Sequence, residues 1–241
     1  MSFKTIAFFG ASAGVGNSAL KHTLAAGHQC IALLRTPSKL TGTMSPESNP
    51  NLRVVQGDVK NAADVIQCLT KADGNLVDEI VFTVGAVPDF SKMSLGDPVV
   101  CRTGMAAVLE SLAKLRAGGA TGRPLLIGVS TTGMSRFGRD FPLLLIPVYH
   151  WALKAAHQDK GAMENSMAES GEDFTVVRAS LLVNGATDKK IRVGIEDLKT
   201  GREATAIGYT ISREDAGKWI ADNLLLKRES KYVNKFATIT Y

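Results

Sequence analysis

A group of glycines directly after the first apolar segment constrains the fold of this chain more than any other feature. The run from Thr5 to Phe9 is short and contains β-branched and aromatic residues, as in a buried strand. Gly10, Gly14 and Gly16 follow it, and a segment rich in alanine and leucine, with its apolar residues at helical spacing, begins at Asn17. A tight strand-to-helix turn of this kind opens a βα unit, and repeated βα units build parallel sheets.

The rest of the chain repeats this alternation of short apolar runs and longer helical segments. The further predicted strands are Gln29 to Arg35, Leu52 to Gln56, Glu79 to Val84, Pro124 to Ser130, Asp173 to Arg178 and Tyr232 to Thr240. The predicted helices are Asn17 to Ala26, Ala62 to Lys71, Val99 to Arg116, Tyr149 to Ser170 and Arg213 to Leu226, the last capped by Ser212-x-x-Asp215. Because most strands are apolar throughout, we predict a doubly wound α/β fold, with a mostly parallel sheet covered by helices on both faces.

Two stretches rich in Thr, Ser, Gly, Pro and charge are predicted to be loops, namely Thr36 to Pro50 and Thr187 to Glu203. Neither separates two halves of different composition. A chain of 241 residues suffices for one large α/β domain or two small ones. We predict a single domain over residues 1–241, with a small substrate-side region at residues 179–211.

Composition argues against several classes of function. The formal charge of +5 comes from 28 basic and 23 acidic residues without a basic stripe, which disfavours nucleic acid as a partner. The 3 cysteines lack metal-like spacing and suggest a reducing compartment. No signal-peptide pattern occurs, and no apolar run approaches the roughly 20 residues of a membrane span. We predict a cytoplasmic protein, monomeric or dimeric, with no metal and no membrane partner.

The glycine loop favours a nucleotide with a pyrophosphate. Glycines let the backbone approach the pyrophosphate, whose charge then sits at the helix amino terminus. A plain glycine-rich βα turn is the alternative. The predicted pyrophosphate-binding residues are Gly10, Ser12, Ala13, Gly14, Val15 and Gly16.

The end of the second strand favours NADP over NAD. Arg35 stands where NAD-specific folds carry an acidic residue for the ribose, and no Asp or Glu occurs from Lys21 to Pro46. Alternatively, Arg35 is an exposed charge that ends a strand. After the third strand, Asp58 is a candidate for binding the adenine amino group, or it caps the helix that begins near Asn61.

These motifs together resemble an atypical short-chain dehydrogenase/reductase, of the NmrA-like or NAD(P)-binding-like group. They are Gly10 to Gly16, Leu34 to Leu40, Gly57-Asp58-Val59, Leu126 to Ser130, Lys160 to Glu164, Ser170-Gly171 with Phe174 to Arg178, and Ile211 to Ala216. The resemblance implies the strand order 3-2-1-4-5-6-7 and an adenine contact at Val59. It also implies that the cofactor is met by the fourth-strand exit, Thr83 to Ala86 with Val84 and Gly85 at its centre, and by Ala179, Ser180, Leu181 and Leu182 near the nicotinamide.

The chain departs from the family at its catalytic pair. Carbonyl reductases of this kind combine a Tyr with a Lys four residues later. In this chain the residue four positions before Lys160 is Ala156, so the tyrosine is missing. Tyr149 and Lys154 are five residues apart, which puts them out of register on a helix. By resemblance Lys160 holds the nicotinamide ribose. Otherwise it is a solvated helix lysine that pairs with Glu164 at i+4.

Another group must therefore supply any proton that the reaction needs. His157 shares a helix face with Lys160 and titrates near neutrality, although a single histidine is more commonly structural. Ser130 lies where a family serine orients the substrate, and Thr131 and Tyr149 are further candidates. Quinones, flavins and iminium ions accept hydride with solvent as the proton source.

The sequence thus predicts an NADP-dependent oxidoreductase that reduces a hydrophobic or aromatic small molecule, such as a quinone, flavin, imine or ketone. The apolar segment Phe141 to Pro147 is either a lid over that substrate or a buried connection. One alternative function is a non-catalytic NADP(H)-binding sensor. Another is an isomerase or cyclase with a short-chain-type fold.

Overall fold

A computed structural model of the chain describes residues 3–40, 44–86, 88–89, 94–145 and 154–241. Its strands are β1 (Thr5–Phe9), β2 (Gln29–Leu34), β3 (Leu52–Gln56), β4 (Glu79–Phe82), β5 (Pro88–Asp89), β6 (Ser94–Leu95), β7 (Leu125–Thr131), β8 (Asp173–Ala179), β9 (Leu181–Val183), β10 (Arg192–Asp197), β11 (Gly201–Ala204), β12 (Thr210–Ser212) and β13 (Lys235–Thr240). Its α-helices are α1 (Gly14–Ala25), α2 (Ala62–Ile66), α3 (Val100–Ala117), α4 (Lys154–Glu169) and α5 (Arg213–Ile220), and α5 continues as a π-helix over Ala221–Leu226. Short 3-10 turns cover Pro37–Lys39, Leu143–Leu145 and Ser230–Tyr232.

The central sheet has nine strands in the order β11-β10-β13-β8-β7-β4-β1-β2-β3. The strands from β13 to β3 all run parallel, in the order that the family resemblance implies. The prediction of a doubly wound α/β fold is therefore confirmed. β10 and β11 extend the β13 edge with an antiparallel hairpin, while β9 pairs with β12 and β5 with β6 outside the sheet.

Alternate residues of the parallel strands fill two separate cores, one on each face of the sheet. In β1, Ile6 and Phe8 belong to the cluster that includes α1 and α5, whereas Ala7 and Phe9 belong to the cluster that includes α2, α3 and α4. All of them are buried. Burial on both faces is the reason that these strands are apolar throughout.

The predicted loop from Thr187 to Glu203 is wrong in part, because it contains β10 and most of β11. Its charged composition suggested a solvated segment. The Glu196 carboxylate of β10 is nevertheless buried, and it binds Arg178 of β8 at 2.8 Å and Arg202 of β11 at 3.0 Å. Charged residues are buried only where they are paired, and here the pairing lies within the edge of the sheet.

Several elements begin or end a few residues from their predicted bounds. α1 begins at Gly14 rather than Asn17, so the glycine loop itself forms the first helical turn. The last helix becomes π-helical from Ala221. Its predicted cap is confirmed, since Asp215 N donates to Ser212 Oγ at 3.0 Å. The start of the predicted fourth helix, residues 149–153, lies outside the described residues.

A buried carboxylate lies at the amino-terminal end of the parallel strands. Glu79, the first residue of β4, is fully buried, and Lys4 Nζ donates to its Oε1 at 2.8 Å. Its Oε2 has no hydrogen-bond partner within the described residues. Burial raises the pKa of Glu79 to about 7, and the hydrogen bond from Lys4 opposes this rise.

We expect Glu79 to make the protein less stable as pH rises from its unfolded-state pKa to its native pKa. In this interval the native carboxyl keeps a proton that the unfolded chain has lost, which amounts to about 3–4 kcal/mol in all. Glu79→Gln should therefore lose less stability than wild type between about pH 5 and about pH 8, as measured by urea denaturation. The exposed control Glu110→Gln should follow wild type. Parallel pH profiles for all three proteins would disprove the assignment.

Candidate functional site

A cavity of about 970 Å³ opens at the carboxyl ends of the central parallel strands. Its wall comprises the first turns of α1, the ends of β7 and β8, and residues of α4 and α5. Open α/β sheets bind ligands at this edge, where the strand order reverses. The predicted site residues in the wall are Ala13, Gly14, Val15, Gly85, Ser130, His157, Lys160, Ala179, Ser180, Leu181 and Leu182. Those outside it are Gly10, Ser12, Gly16, Arg35, Asp58, Val59 and Val84, and Tyr149 lies outside the described residues.

Two glycines bring β1, the exit of β4 and α1 into close contact. Gly10 has a φ of +94°, and a Cβ there would lie 2.8 Å from the backbone carbon of Thr83. A Cβ at Gly16 would lie 2.6 Å from the Gly10 carbonyl oxygen. Both distances are shorter than any side chain tolerates, so only glycine fits at these positions.

Thr83, directly after β4, belongs to the predicted fourth-strand exit, and the structure adds its contact with the glycine loop. Its Oγ1 lies 3.1 Å from the carbonyl oxygens of both Phe9 and Gly10, and it ties the exit of β4 to the glycine loop. It also lines the cavity. A threonine after an apolar run carries no distinctive local signal. Its role follows from the pairing of β1 with β4.

The amino terminus of α1 has no side-chain cap among the described residues. The N-cap residue is Ala13, and the first turn contains no acidic residue. The first N–H groups of a helix need acceptors, and the helix dipole adds partial positive charge at the same place. Because Ala13, Gly14 and Val15 line the cavity, this helix end can bind an anionic group there.

Lys160 of α4 reaches the carboxyl end of β7. Its Nζ donates to the Val129 carbonyl oxygen at 2.8 Å, and the residue lines the cavity. Glu164, the alternative partner that the sequence left open, is instead bound by Arg178, with N–O distances of 2.7 and 3.2 Å. Within the described residues Lys160 thus makes no ion pair, and its charge is available to a ligand.

Two buried carboxylates set the rotation of α4. Asp159 accepts hydrogen bonds from the backbone N–H groups of Cys101 and Arg102, at 2.8 and 3.0 Å, in the first turn of α3. Glu164, further along α4, binds Arg178 of β8. These anchors stand on either side of Lys160 in the sequence and hold that lysine at the cavity.

The candidate proton donors Ser130 and His157 are brought to the same cavity as Lys160. Ser130 is buried at the end of β7, and its Oγ lies 3.6 Å from the sulfur of Met134. His157 precedes Lys160 by one helical turn. Ala156 also lines the cavity, so a methyl group stands at the position of the family tyrosine.

The residues predicted for the adenine end lie at the ends of β2 and β3. Arg35 directly follows β2 and is exposed. Asp58 does not cap α2, since its Oδ1 accepts from Lys60 N at 2.9 Å while Asn61 caps that helix. Val59 is buried and packs beside Gly104.

The apolar segment predicted as a lid is described only up to residue 145. Pro142, Leu143 and Leu144 line a separate depression of about 430 Å³, and both leucines are exposed. The lid therefore stays a prediction.

Among the helices that the structure describes, none has the length and apolar composition of a membrane span.

Comparison with known proteins identifies the chain as an oxidoreductase of an NAD(P)H-binding family, with a small-molecule substrate. Residues 10–226 match the family model described as NAD(P)H-binding, and the chain belongs to this family. It is 39% identical to reductase pytE of Aspergillus terreus, over 98% of both chains. It is 32% identical to oxidase pynE of Aspergillus niger, over 100% of this chain and 99% of the relative.

Solved structures of short-chain dehydrogenases/reductases share the fold. One, from Veillonella parvula and described as wide type, was solved in complex with NADP. It has a TM-score of 0.74 at 18% identity, covering 100% of this chain and 95% of its own. ChuY, an anaerobillin reductase from Escherichia coli O157:H7, has a TM-score of 0.66 at 18% identity, covering 98% of this chain and 96% of its own. These structures share the fold that the resemblance implied, and the family match confirms an NAD(P)H-binding reductase family.

Proposed function

We propose that this oxidoreductase uses NADPH to reduce an apolar or aromatic small molecule, such as a quinone, flavin, imine or ketone. The observation that carries this proposal is the uncapped amino terminus of α1, which opens into the same cavity as Lys160. An anion-binding helix end and a lysine on one wall suit the pyrophosphate and the nicotinamide ribose of a dinucleotide. The relatives named reductase and oxidase support redox chemistry.

We assign the cofactor to three groups of residues. Those for the pyrophosphate are Gly10, Ser12, Ala13, Gly14, Val15 and Gly16. Those for the adenine and its 2′-phosphate are Arg35, Asp58 and Val59. Those for the nicotinamide and its ribose are Val84, Gly85, Ser130, Lys160, Ala179, Ser180, Leu181 and Leu182.

The glycine loop fits such a cofactor. A side chain at Gly10 or Gly16 would collide with backbone atoms, so the loop presents main chain rather than side chains. Backbone N–H groups are the donors that a pyrophosphate accepts at a helix amino terminus. The Lys160 ammonium, held by the Val129 carbonyl, adds a donor to the same cavity.

Arg35 supports NADP over NAD. It is exposed directly after β2, and no acidic residue stands between Lys21 and Pro46 to repel a 2′-phosphate. An Arg at this position pairs well with phosphate oxygens. The NADP complex of the Veillonella parvula protein is further support.

A bound NADPH would supply a hydride from its nicotinamide ring. Lys160 would hold the ribose hydroxyls and so orient the ring toward the substrate. Since the Ala156 methyl group has no proton to give, Ser130 or His157 would hydrogen-bond to the substrate, with solvent as the other proton source. Acceptors that need no side-chain acid, such as quinones and flavins, suit this arrangement.

The substrate side of the cavity is partly apolar. Ala179, Leu181 and Leu182 line it, and the Leu181 side chain is half exposed. Apolar walls with a few polar groups are typical of sites for small molecules. This composition supports an apolar or aromatic acceptor.

The proposal also includes the subgroup of the family and the cellular compartment of the protein. We place the chain in the NmrA-like group, on the motifs of its glycine loop and of Ile211 to Ala216. We infer a cytoplasmic location, because Cys30, Cys68 and Cys101 are free buried thiols, as is usual in a reducing compartment.

The test combines cofactor binding with turnover. We expect wild type to oxidise NADPH with at least one acceptor from a panel of quinones, flavins, imines, aldehydes and ketones. Arg35→Ala should weaken NADPH binding about 10- to 50-fold and leave NADH binding unchanged, because it removes a charge-assisted contact to the 2′-phosphate. Calorimetry of both cofactors measures this effect.

Arg53→Ala is the matched control. Arg53 is also an exposed arginine, but it lies near the amino-terminal end of β3 and donates to the Gln67 carbonyl. It should bind NADPH as wild type does. Equal NADPH affinity in wild type and Arg35→Ala would refute the role of Arg35. Tight NADPH binding without turnover of any acceptor would refute the reductase and favour the sensor.

A further inference from the structure

Arg213, the first residue of α5, lies against Gly14 of the glycine loop and lines the same cavity. A Cβ on Gly14 would lie 3.3 Å from Arg213 Cδ and 3.9 Å from its Nε. Gly14 has a φ of +61°, so its backbone already disfavours other residues, and its bare Cα leaves room for the arginine stem. The guanidinium therefore lies beside the first turn of α1.

The backbone that carries Arg213 is fixed to α1. Ser18 Oγ donates to the Glu214 carbonyl oxygen at 2.7 Å. A Cβ on Gly217 would lie 2.5 Å from the Val15 carbonyl oxygen, so the two helices are in contact without intervening side chains. The position of Arg213 relative to the glycine loop is thus set by close helix packing.

No acidic side chain in the described part of the chain forms an ion pair with Arg213. Within the described residues its one side-chain hydrogen bond goes from Nη1 to the neutral Oδ1 of Asn184, at 2.8 Å. The carboxylates next to it have other partners, because Glu214 accepts from Ser212 and the buried Asp215 accepts from Thr187. An arginine at a helix amino terminus is also unfavourable for the helix dipole, since the terminus prefers acidic groups.

We propose that Arg213 is a second contact for the cofactor pyrophosphate, supplied by α5 and oriented by Asn184. This inference rests on the proposed function. The first turn of α1 would bind one side of the pyrophosphate through backbone N–H groups, and the Arg213 guanidinium would bind the other through charge-assisted hydrogen bonds. Asn184 follows β9 on the substrate side, so the Arg213–Asn184 pair connects the cofactor groove with the substrate-side segment.

The test is the affinity for NADPH of the wild-type protein and of Arg213→Ala, Arg213→Lys and Asn184→Ala, measured by calorimetry. We expect Arg213→Ala to weaken binding about tenfold, because a charge-assisted contact is lost. Arg213→Lys should fall between Arg213→Ala and wild type. Asn184→Ala should weaken binding less than Arg213→Ala, because it acts through the orientation of the arginine.

Two controls separate a pyrophosphate contact from a general effect. Lys218→Ala removes a positive charge from the same cavity wall, where Lys218 is paired with Asp222, and it should bind NADPH as wild type does. Adenosine 2′-phosphate lacks the pyrophosphate, so all these variants should bind it equally. Unchanged NADPH affinity in Arg213→Ala would overturn the proposal, as would an equal loss of adenosine 2′-phosphate affinity. Failure of the wild type to bind NADPH would instead refute the proposed function.

Discussion

Lys160→Met is expected to lower the rate of hydride transfer at saturating NADPH about 100-fold. The Lys160 ammonium lies at the end of β7, where Val129 holds it, and it makes no ion pair within the described residues. Without it, the nicotinamide ribose loses the contact that orients the ring, and a misplacement of about 1 Å can cost about 100-fold in rate. The measurement is a single-turnover assay with an acceptor found by the turnover screen, together with the Kd for NADPH.

Lys154→Met is the matched control, because Lys154 is an exposed lysine at the start of the same helix. It should leave both quantities near wild-type values. His157→Ala tests the proton source: an altered pH profile would support His157 as the donor, and an unchanged profile would exclude His157 and leave Ser130 or solvent. If Lys160→Met transfers hydride at the wild-type rate, Lys160 has no part in orienting the cofactor.

Arg178→Met is expected to lower the free energy of unfolding by about 3–5 kcal/mol, because it leaves the buried Glu164 carboxylate without its cation and Glu196 with Arg202 alone. Arg178 is 3% exposed, and it binds Glu164 of α4 at 2.7 Å and Glu196 of β10 at 2.8 Å. Its guanidinium also lies 4.4 Å from the centre of the Phe236 ring. Urea denaturation of wild type and variant at neutral pH measures this loss.

Two further measurements distinguish the loss of the ion pairs from the loss of packing as the cause of the lower stability. Arg178→Met combined with Glu164→Gln and Glu196→Gln removes the buried negative charges and should recover about half of the stability or more. The deficit of the single variant should shrink toward about pH 5, since unpaired buried carboxylates take up protons at higher pH than in the unfolded chain. A deficit of the same size in both variants and at both pH values would attribute it to packing alone.

The central parallel strands could be predicted from the sequence because they are buried on both faces. Runs such as Glu79 to Val84 and Asp173 to Arg178 are short, apolar and bounded by loops, and each matches an observed strand within one or two residues. The Ser212 cap of α5 was predictable for a similar reason, since a capping interaction spans only a few residues.

The edge hairpin of β10 and β11 could not be predicted in the same way. Its residues are charged, and the burial of Glu196 makes sense only when Arg178 of a distant strand is placed beside it. Burial of such a pair depends on which strand adds to the β13 edge. Local composition carries no information about that choice.

The same distinction between local and long-range signals applies to the residues of the candidate site. The glycine loop and Lys160 could be singled out, the first from the geometry of a βα turn and the second from its family motif. Arg213 was not among the predicted site residues, and the contact of Thr83 with the glycine loop was not predicted, because neither has a local pattern that marks it. Both meet the glycine loop from segments that are far away in the sequence.

The sequence by itself determined the class of fold, the order of its parallel strands through the family resemblance, and the place of the glycine loop at the start of a helix. These properties depend on apolar periodicity and on the steric freedom of glycine, which act between near neighbours in the chain. Two further outcomes follow only from the three-dimensional arrangement: Glu164 binds Arg178, so that Lys160 has no acidic partner among the described residues, and α5 brings Arg213 to Gly14. Those outcomes depend on strand pairing and helix packing between distant segments, which no short stretch of sequence encodes.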